Sequence, residues 1–480
     1  MAKNDKDKNN HKEKKELIVI GAGPGGYRAA FMAADLGMKV TLIDKEEKPG
    51  GECLYRGCIP TKALLHAVKL KDAATSADPM GINFSAPDLD VDKMSAWKQG
   101  VIDQLTGGLA GLVRGRKIEY LRGTATFSDD HTIVFEDTSG KTRELLFEQA
   151  IIATGATPIR LKGLEPDGDR IMGSEAALEL KNISGKLLVV GGGYIGLEMA
   201  AIYHGLGSEV SIVELTDGFM PGTDRDLVKT FNRSAKAIFT DIFLETSVKE
   251  VKKNKTNLRV TFEGKDDTFS KSYDQILVAV GEQPDHEQLE LGNTGVETDE
   301  KGFIKVDDRQ RTSVSNIYAI GDVAGGPLLA HKAMYEGKVA AEVASGKDVI
   351  NDARVIPGVV YTEPEIAFCG LTETTANEED RDYEKVKFPW AASGRAVAMN
   401  EKYGFTKLLV DPESERILGA GIVGKDAGDL ISELALAIEM GATVTDLALT
   451  IHPHPTLSET IMEAAEMYLG TPGHTMNKKR

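Results

Sequence analysis

The chain has 480 residues, which is enough for roughly three domains and too many for a single core. An apolar content of 41% and a charged content of 27% exclude general disorder. A net charge of −17 argues against a duty on nucleic acid or anionic lipid, no apolar run is long enough for a membrane span, and three cysteines are too few for a stapled secreted fold.

The first fifteen residues, Met1 to Lys15, are almost all Lys, Asn, Asp, Glu and His. They lack the apolar stretch of a signal peptide, and they carry acids without Arg, unlike a mitochondrial transit peptide. A disordered charged tail is expected over 1–16, on a cytoplasmic protein of bacterial type. Leu17 to Ile20 then reads as a strand that runs into Gly21-Ala22-Gly23-Pro24-Gly25-Gly26, followed by a helical stretch and a second strand, Lys39 to Asp44.

The same pattern recurs further on. Leu187 to Val190 runs into Gly191-Gly192-Gly193-Tyr194-Ile195-Gly196 and ends at Glu214, so that Gly21, Gly23, Gly26, Gly37 and Asp44 align with Gly191, Gly193, Gly196, Gly207 and Glu214 without a gap. Each copy fits the dinucleotide-binding βαβ fingerprint. The first glycine permits the tight turn, the second lets pyrophosphate approach the backbone, and the third lets helix and strand pack closely. The phosphates would sit on N–H groups at the helix start, and the terminal acid would accept from ribose hydroxyls. Two dinucleotides are therefore expected. Glu214 would repel a 2′-phosphate, and Leu215 to Gly218 supply no cation to receive one, so the second is NAD rather than NADP.

Between the copies, Gly50 to Lys62 carries Cys53 and Cys58. Residues i and i+5 on a regular helix rise about 7.5 Å, whereas a disulfide wants Cα atoms about 4.4–6.8 Å apart. A bridge would distort the local backbone, which Gly57 permits, and strain eases its reduction. Lys62, one turn beyond Cys58 on a helix, would favour a Cys58 thiolate. The pair reads as catalytic; two buried thiols or a metal site are the alternatives, and no second Cys or His pair lies nearby to complete a metal site.

With these residues the chain resembles the pyridine-nucleotide disulfide oxidoreductases, flavoproteins with a GGxCxxxGCxPxK segment, from about Leu17 to about Leu469. Ala153 to Pro158 matches that family's crossover from the FAD to the NAD domain, Ala279 to Pro284 the return, and Ile317 to Asp322 the second FAD segment. The resemblance implies a Cys53–Cys58 redox disulfide and FAD as the first cofactor. It also implies cofactor contacts at Lys62, Ala125, Thr154, Gly155, Asp322 and Ala330, and at Val248 and Gly281 beside the second fingerprint. Glu198 is expected to pair with Lys62, and Tyr194 to cover the nicotinamide pocket. Two departures stand out: Glu282 and Tyr55 occupy positions where Arg and Asn are usual.

Ile451-His452-Pro453-His454-Pro455-Thr456-Leu457-Ser458-Glu459 is similar to the tail motif of the branch that oxidises dihydrolipoamide. There the second histidine, here His454, is the general acid/base, and Glu459 orients it; His452 is the alternative base. A cis His454–Pro455 bond is expected. Relatives that use NADPH carry Arg near the second strand of the NAD unit, mercuric reductases carry a C-terminal cysteine pair, and soluble transhydrogenases lack the redox cysteines. This chain fits none of them. Cys369 reads as a buried small hydrophobe, Glu378 to Asp380 as a solvated loop, and His204 as structural.

The implied fold is α/β: two doubly wound, Rossmann-like domains, with FAD on 17–157 and 285–352 and NAD on an inserted 158–284, plus an α+β interface domain over 353–480. In the last, Phe405 to Val410 and Ile417 to Val423 read as strands around the turn Asp411 to Ser414, with a helix over Gly428 to Met440. The implied activity is oxidation of protein-bound dihydrolipoamide by NAD+. A homodimer would serve the lipoyl domains and acyltransferase core of 2-oxoacid dehydrogenase complexes, with glycine cleavage a further possibility. A docking subunit with secondary redox chemistry is the competing reading.

Overall fold

The computed structural model describes residues 13–85, 87–183 and 185–476. The chain divides into two compact units: Met1–Pro60, Ala96–Ile159 and Glu282–Asp352 form the first, and Thr61–Ser95, Arg160–Gly281 and Ala353–Arg480 the second. No helix among the described residues is long and apolar enough to cross a membrane.

In the first unit the parallel strands run in the order Glu119–Asp129, Val40–Asp44, Glu13–Ile20, Thr142–Ile152 and Ile317–Ala319, with Thr132–Asp137 antiparallel to the two long ones. Leu17, Ile18 and Val19 have no exposed surface, as expected of a parallel strand covered on both faces. The helices Pro24–Asp35 and Ala330–Ala344 pack together so closely that a side chain on Gly337 would meet the Gly25 carbonyl at 2.5 Å. The first strand starts earlier than the sequence indicates. Glu13, Lys14 and Lys15 pair with Leu145, Leu146 and Phe147, and Lys15 Nζ meets Glu13 at 2.6 Å and Glu119 at 2.5 Å. Ion pairing thus carries part of the charged tail into the sheet; the rest of that expected tail lies outside the described residues.

In the second unit the repeat is realised as Lys186–Val190, Tyr194–Gly205 and Glu209–Val213. Its sheet order is Phe239–Phe243, Glu209–Val213, Lys186–Val190, Gln275–Val278 and Ile171–Met172. A three-stranded antiparallel sheet, Ser247–Lys253, Leu258–Glu263 and Thr268–Tyr273, accompanies it. The stretch 61–95 groups with this unit. Leu64 and Leu65 enter the core around Leu197 and Tyr203, and the Val68 side chain lies where a Gly205 Cβ would stand. The remaining segment forms a five-stranded antiparallel sheet, Gly358–Val360, Glu365–Gly370, Ile417–Gly424, Phe405–Val410 and Glu384–Pro389, with the helices Ala427–Glu439, Val444–Leu449 and Glu459–Leu469. Trp390 is fully buried there and donates through Nε1 to Thr406 Oγ1 at 3.1 Å.

Candidate active site

The register of the first sheet sets the first cradle. Ile20 lies opposite Ile43 and Ile152, and Ile152 opposite Ala319. The strand ends therefore deliver Gly21, Asp44, the Ala153–Gly155 crossover and the Gly321–Asp322 turn to one edge, where open parallel sheets bind ligands. Gly21 has φ +98°, and a Cβ there would overlap the Ala153 carbonyl, as a Cβ on Gly26 would overlap that of Gly21. At Gly23 the nearest atom to such a Cβ is Gly51 Cα, 3.8 Å away, so this backbone stays open to approach. No side chain caps the helix that follows, and no acid stands in its first turn, which leaves its N–H groups to an anion. Asp44 accepts from the N–H groups of Ala22 at 2.6 Å and Glu46 at 2.8 Å, and burial pushes its carboxyl up. Thr154 Oγ1 is buried with no hydrogen-bond partner among the described residues, and the Asp322 carboxyl makes no hydrogen bond among them. An orphan hydroxyl and a carboxyl without a hydrogen bond, at the rim of a glycine cradle, fit a flavin dinucleotide. Ala125 lies in the adjoining strand opposite Phe135 with its methyl buried, and Ala330 begins the helix Ala330–Ala344.

The cysteine segment is built onto this cradle. Gly50 N–H donates to Ala22 O at 2.9 Å, and Gly51, at φ +61°, lies so close to Gly23 that a side chain on it would overlap the Gly23 backbone. Cys53 follows on the helix Gly51–Arg56, which breaks at Gly57 before Cys58 opens Cys58–Thr75. A Cβ on Gly57 would meet the Glu52 carbonyl at 3.2 Å, so the break the spacing calls for is present. Cys53 is half-buried and Cys58 exposed. Burial, with both cysteines nearby, pushes the Tyr27 phenol up to about 12. Tyr55 has a role the sequence did not disclose: its hydroxyl donates to Lys48 O at 3.0 Å and ties the preceding loop to this helix.

The second cradle repeats the first. Cβ atoms on Gly191 and Gly196 would overlap the Ala279 and Gly191 carbonyls, whereas at Gly193 nothing lies within 4 Å. Glu214 accepts from Gly192 N–H at 2.7 Å and from Thr216 N–H and Oγ1, both at 2.8 Å. Arg225, the next basic residue along the chain, donates to the carbonyls of Phe219, Met220 and Thr223, so its guanidinium is not left for a 2′-phosphate. Gly281 has φ +114°, and Val248 lies opposite Phe262 in the three-stranded sheet. Tyr194 is 42% exposed at the mouth of this cradle.

Two polar constellations complete the second unit. Lys62 Nζ meets Glu198 Oε2 at 2.7 Å, as expected; Glu198 Oε1 accepts from Tyr361 N–H at 3.0 Å, and the Tyr361 ring lies 4.6 Å from the ammonium. His454 Nδ1 lies 2.8 Å from Glu459 Oε1, Glu459 Oε2 accepts from Thr456 N–H at 2.7 Å, and the His454–Pro455 bond is cis. Burial pushes the Glu459 carboxyl up, but Thr456 and His454 together outweigh it and hold the group below its usual range. The His454 side chain is 70% exposed. His452 is its opposite, buried and held on both nitrogens by Thr450 O and Glu433, each at 2.8 Å.

Comparison with known proteins agrees with this geometry. Residues 15–337 match the family described as pyridine nucleotide-disulphide oxidoreductase, and 356–465 match its dimerisation domain. The chain belongs to this family. It is 47% identical over 459 residues to a dihydrolipoyl dehydrogenase of Vibrio cholerae, covering 95% of this chain and 96% of that one. Against the dihydrolipoyl dehydrogenase of Bacillus subtilis the identity is 44% over 461 residues, covering 96% and 97%. Among solved structures, LpdA from Mycobacterium tuberculosis superposes with a TM-score of 0.88 at 27% identity, covering 94% of this chain and 99% of that one. The HOCl-induced flavoprotein disulfide reductase RclA from Escherichia coli gives 0.82 at 28% identity, covering 94% and 99%. Within the disulphide oxidoreductases the chain falls in the dihydrolipoyl dehydrogenase group, and it is an oxidoreductase.

Sequence reasoning missed three features of this oxidoreductase. Tyr361 sits in no motif, and only the fold brings it to Lys62 and Glu198. Asp224, Asp226 and Glu373 come within reach of one another, but Lys407 Nζ fills the space between them at 2.5, 2.9 and 2.9 Å, where a metal would otherwise bind. Asp224 and Lys407 are far apart in sequence, and nothing local pairs them. The third is the surroundings of Glu282, on a strand Glu282–Pro284 that pairs with Ala156–Pro158.

Proposed function

We propose that this chain oxidises protein-bound dihydrolipoamide to lipoamide and passes the two electrons to NAD+, giving NADH and a proton. It would act through FAD and a Cys53–Cys58 couple, as half of a homodimer. The observation that carries this reading is the His454–Glu459 pair, in a chain that also builds the cysteine segment onto a flavin-type cradle. With Nδ1 engaged by Glu459, Nε2 of His454 is the nitrogen left to take a proton from a substrate thiol. Glu459, held ionised, stabilises the imidazolium that results. The substrate thiolate then bonds to the Cys53 sulfur as the Cys53–Cys58 bond breaks, and Cys58 departs as a thiolate. Attack by the second substrate thiol closes the lipoamide ring and releases Cys53 as a thiol with the proton held by His454. The second thiol's own proton passes to the freed His454 and leaves to solvent as the proton that accompanies NADH. Lys62, one turn along the helix that Cys58 opens, favours the Cys58 thiolate. FAD, when bound, supplies the two-electron relay from the dithiol to the nicotinamide.

The resemblance supports a histidine that serves the cysteines of the second subunit, so that each site needs two chains, and the high exposure of His454 in one chain accords with this. Glu214 and the engaged Arg225 support NAD over NADP. The name dihydrolipoyl dehydrogenase borne by relatives supports a dihydrolipoyl substrate. Service to the lipoyl domains of 2-oxoacid dehydrogenase complexes is what the family resemblance implies. His454→Ala should lower dihydrolipoamide oxidation by about 10²–10⁴-fold. Stopped-flow reduction of the flavin by NADH should proceed as in the wild type. Equal loss of both half-reactions would refute the role given to His454.

A further inference from the structure

The return crossover places an acid where the dinucleotide must lie. Glu282 opens the strand Glu282–Pro284, whose partner Ala156–Pro158 directly follows Thr154 and Gly155, and Asp285 N–H donates to Gly155 O at 3.0 Å. The same strand packs against the Gly321–Ala324 turn that bears Asp322. Glu282 is half-buried, and neither its carboxyl nor that of Asp322 makes a hydrogen bond among the described residues.

The charges facing Glu282 are of one sign. Asp322 faces it from the turn and Glu52 from the cysteine helix, and Ala156, Thr157 and Pro158 on the paired strand carry no charge. The nearby cations already have partners, and the Lys332 ammonium also acts on Asp322. Lys332 Nζ is bound to Glu336 at 3.0 Å and to Gly321 O at 3.2 Å, and Arg56 pairs with Glu46. On its own segment Asp285 follows two residues beyond Pro284's neighbour Gln283, and His286 Nε2 lies 2.7 Å from Gly302 O.

We propose that Glu282 lies against the bound flavin dinucleotide and makes the protein's hold on FAD weaken as the solution turns alkaline. The inference rests on the reading of the first cradle as the flavin site. A neutral carboxyl can donate its O–H to an acceptor on the ligand, whereas an ionised one adds a third negative charge beside Asp322 and Glu52 in a site for an anionic dinucleotide. Burial, with Asp322 and Glu52 nearby, pushes the Glu282 carboxyl up to about 7. An anionic ligand raises it further. The group then binds one more proton in the complex than in the empty protein, so affinity is full below about pH 7 and falls by up to about tenfold per pH unit above it.

Purified holoenzyme, diluted and filtered at pH 6.0, 7.0, 8.0 and 8.5, reports bound and released FAD by its absorbance and fluorescence without any turnover. Titration of FAD into the stripped protein gives the dissociation constant at each pH. In the wild type the constant should rise about tenfold or more from pH 6 to pH 8.5; in Glu282→Gln, a neutral isostere, it should stay within about threefold. A flat wild-type profile with FAD bound throughout would overturn the inference while leaving the flavin site intact, as would an unchanged slope in Glu282→Gln. Protein that takes up no FAD at any pH would instead overturn the flavin reading itself.

Discussion

A thiol attacks as its thiolate, so surroundings decide which of the three cysteines takes part in exchange. Cys369 is buried in a core strand between Ala367 and Gly370, and burial pushes its thiol up to about 12, beyond any working pH. Cys53 and Cys58 flank a helix break, one half-buried and one exposed, and Lys62 stands a turn beyond. Cys369→Ala should therefore leave turnover within about twofold. Cys53→Ser or Cys58→Ser should lower dihydrolipoamide oxidation by at least about 10³-fold, since no disulfide can form. Spectra on partial reduction separate the two sulfurs: Cys58→Ser should lose the long-wavelength thiolate–flavin band, and Cys53→Ser should keep it. A Cys53→Ser variant with wild-type turnover would remove the exchange step from the mechanism.

At the level of elements, Lys407 holds the second unit together. It lies on the strand Phe405–Val410 with no exposed surface, and it binds Asp224 before the helix Arg225–Ile238, Asp226 in that helix's first turn, and Glu373 on the helix Glu373–Glu378. Burial would raise the Asp226 carboxyl, but Lys387 and Lys407 outweigh it and hold it at about 2. A carboxyl lowered in the fold stabilises above its unfolded pKa and loses that contribution as pH falls toward 2. Lys407→Met removes the shared cation and leaves buried acids facing one another. Urea unfolding should show a loss of about 3–5 kcal/mol, and the acid-unfolding midpoint should move to higher pH. The cluster also shows what a sequence hides. The two glycine fingerprints, the cysteine segment and the tail histidine were legible because each is a local pattern tied to one backbone geometry; Gly21 and Gly191 turn as such a fingerprint requires. The strands Phe405–Val410 and Ile417–Gly424 were legible from apolar runs around a turn. Lys407, Tyr361 and the company of Glu282 were not, because their partners come from segments far apart in the chain. The strand start at Glu13 was hidden because its charges read as tail until Glu119 supplied a partner.

For the whole molecule, the matched dimerisation segment and the surface of one chain point the same way. Leu436, Met440, Leu449 and Ile451 are 62%, 75%, 76% and 94% exposed, and all four lie within the 356–465 segment. Large apolar side chains bared this far, in the segment matched to the dimerisation domain, make its surface the face a second copy would cover. Ile451 adjoins His452, whose ring is locked in place, and lies three residues before the exposed His454. A second copy seated on this face would bury the apolar groups and enclose His454 in one event. The double substitution Leu449→Asp with Ile451→Asp places two charges where water must leave. In sedimentation velocity it should shift the protein to monomers, with FAD retained, since Gly21, Gly23, Asp44, Thr154 and Asp322 of the first cradle all lie in the first unit. Reduction of the flavin by NADH should persist, while dihydrolipoamide turnover should fall by at least about 10²-fold, because the acid/base would no longer be held against its thiol. A variant that sediments as a dimer with full turnover would show that this face is not where the subunits meet. Monomers with full turnover would show that the base and the cysteines of one site belong to a single chain.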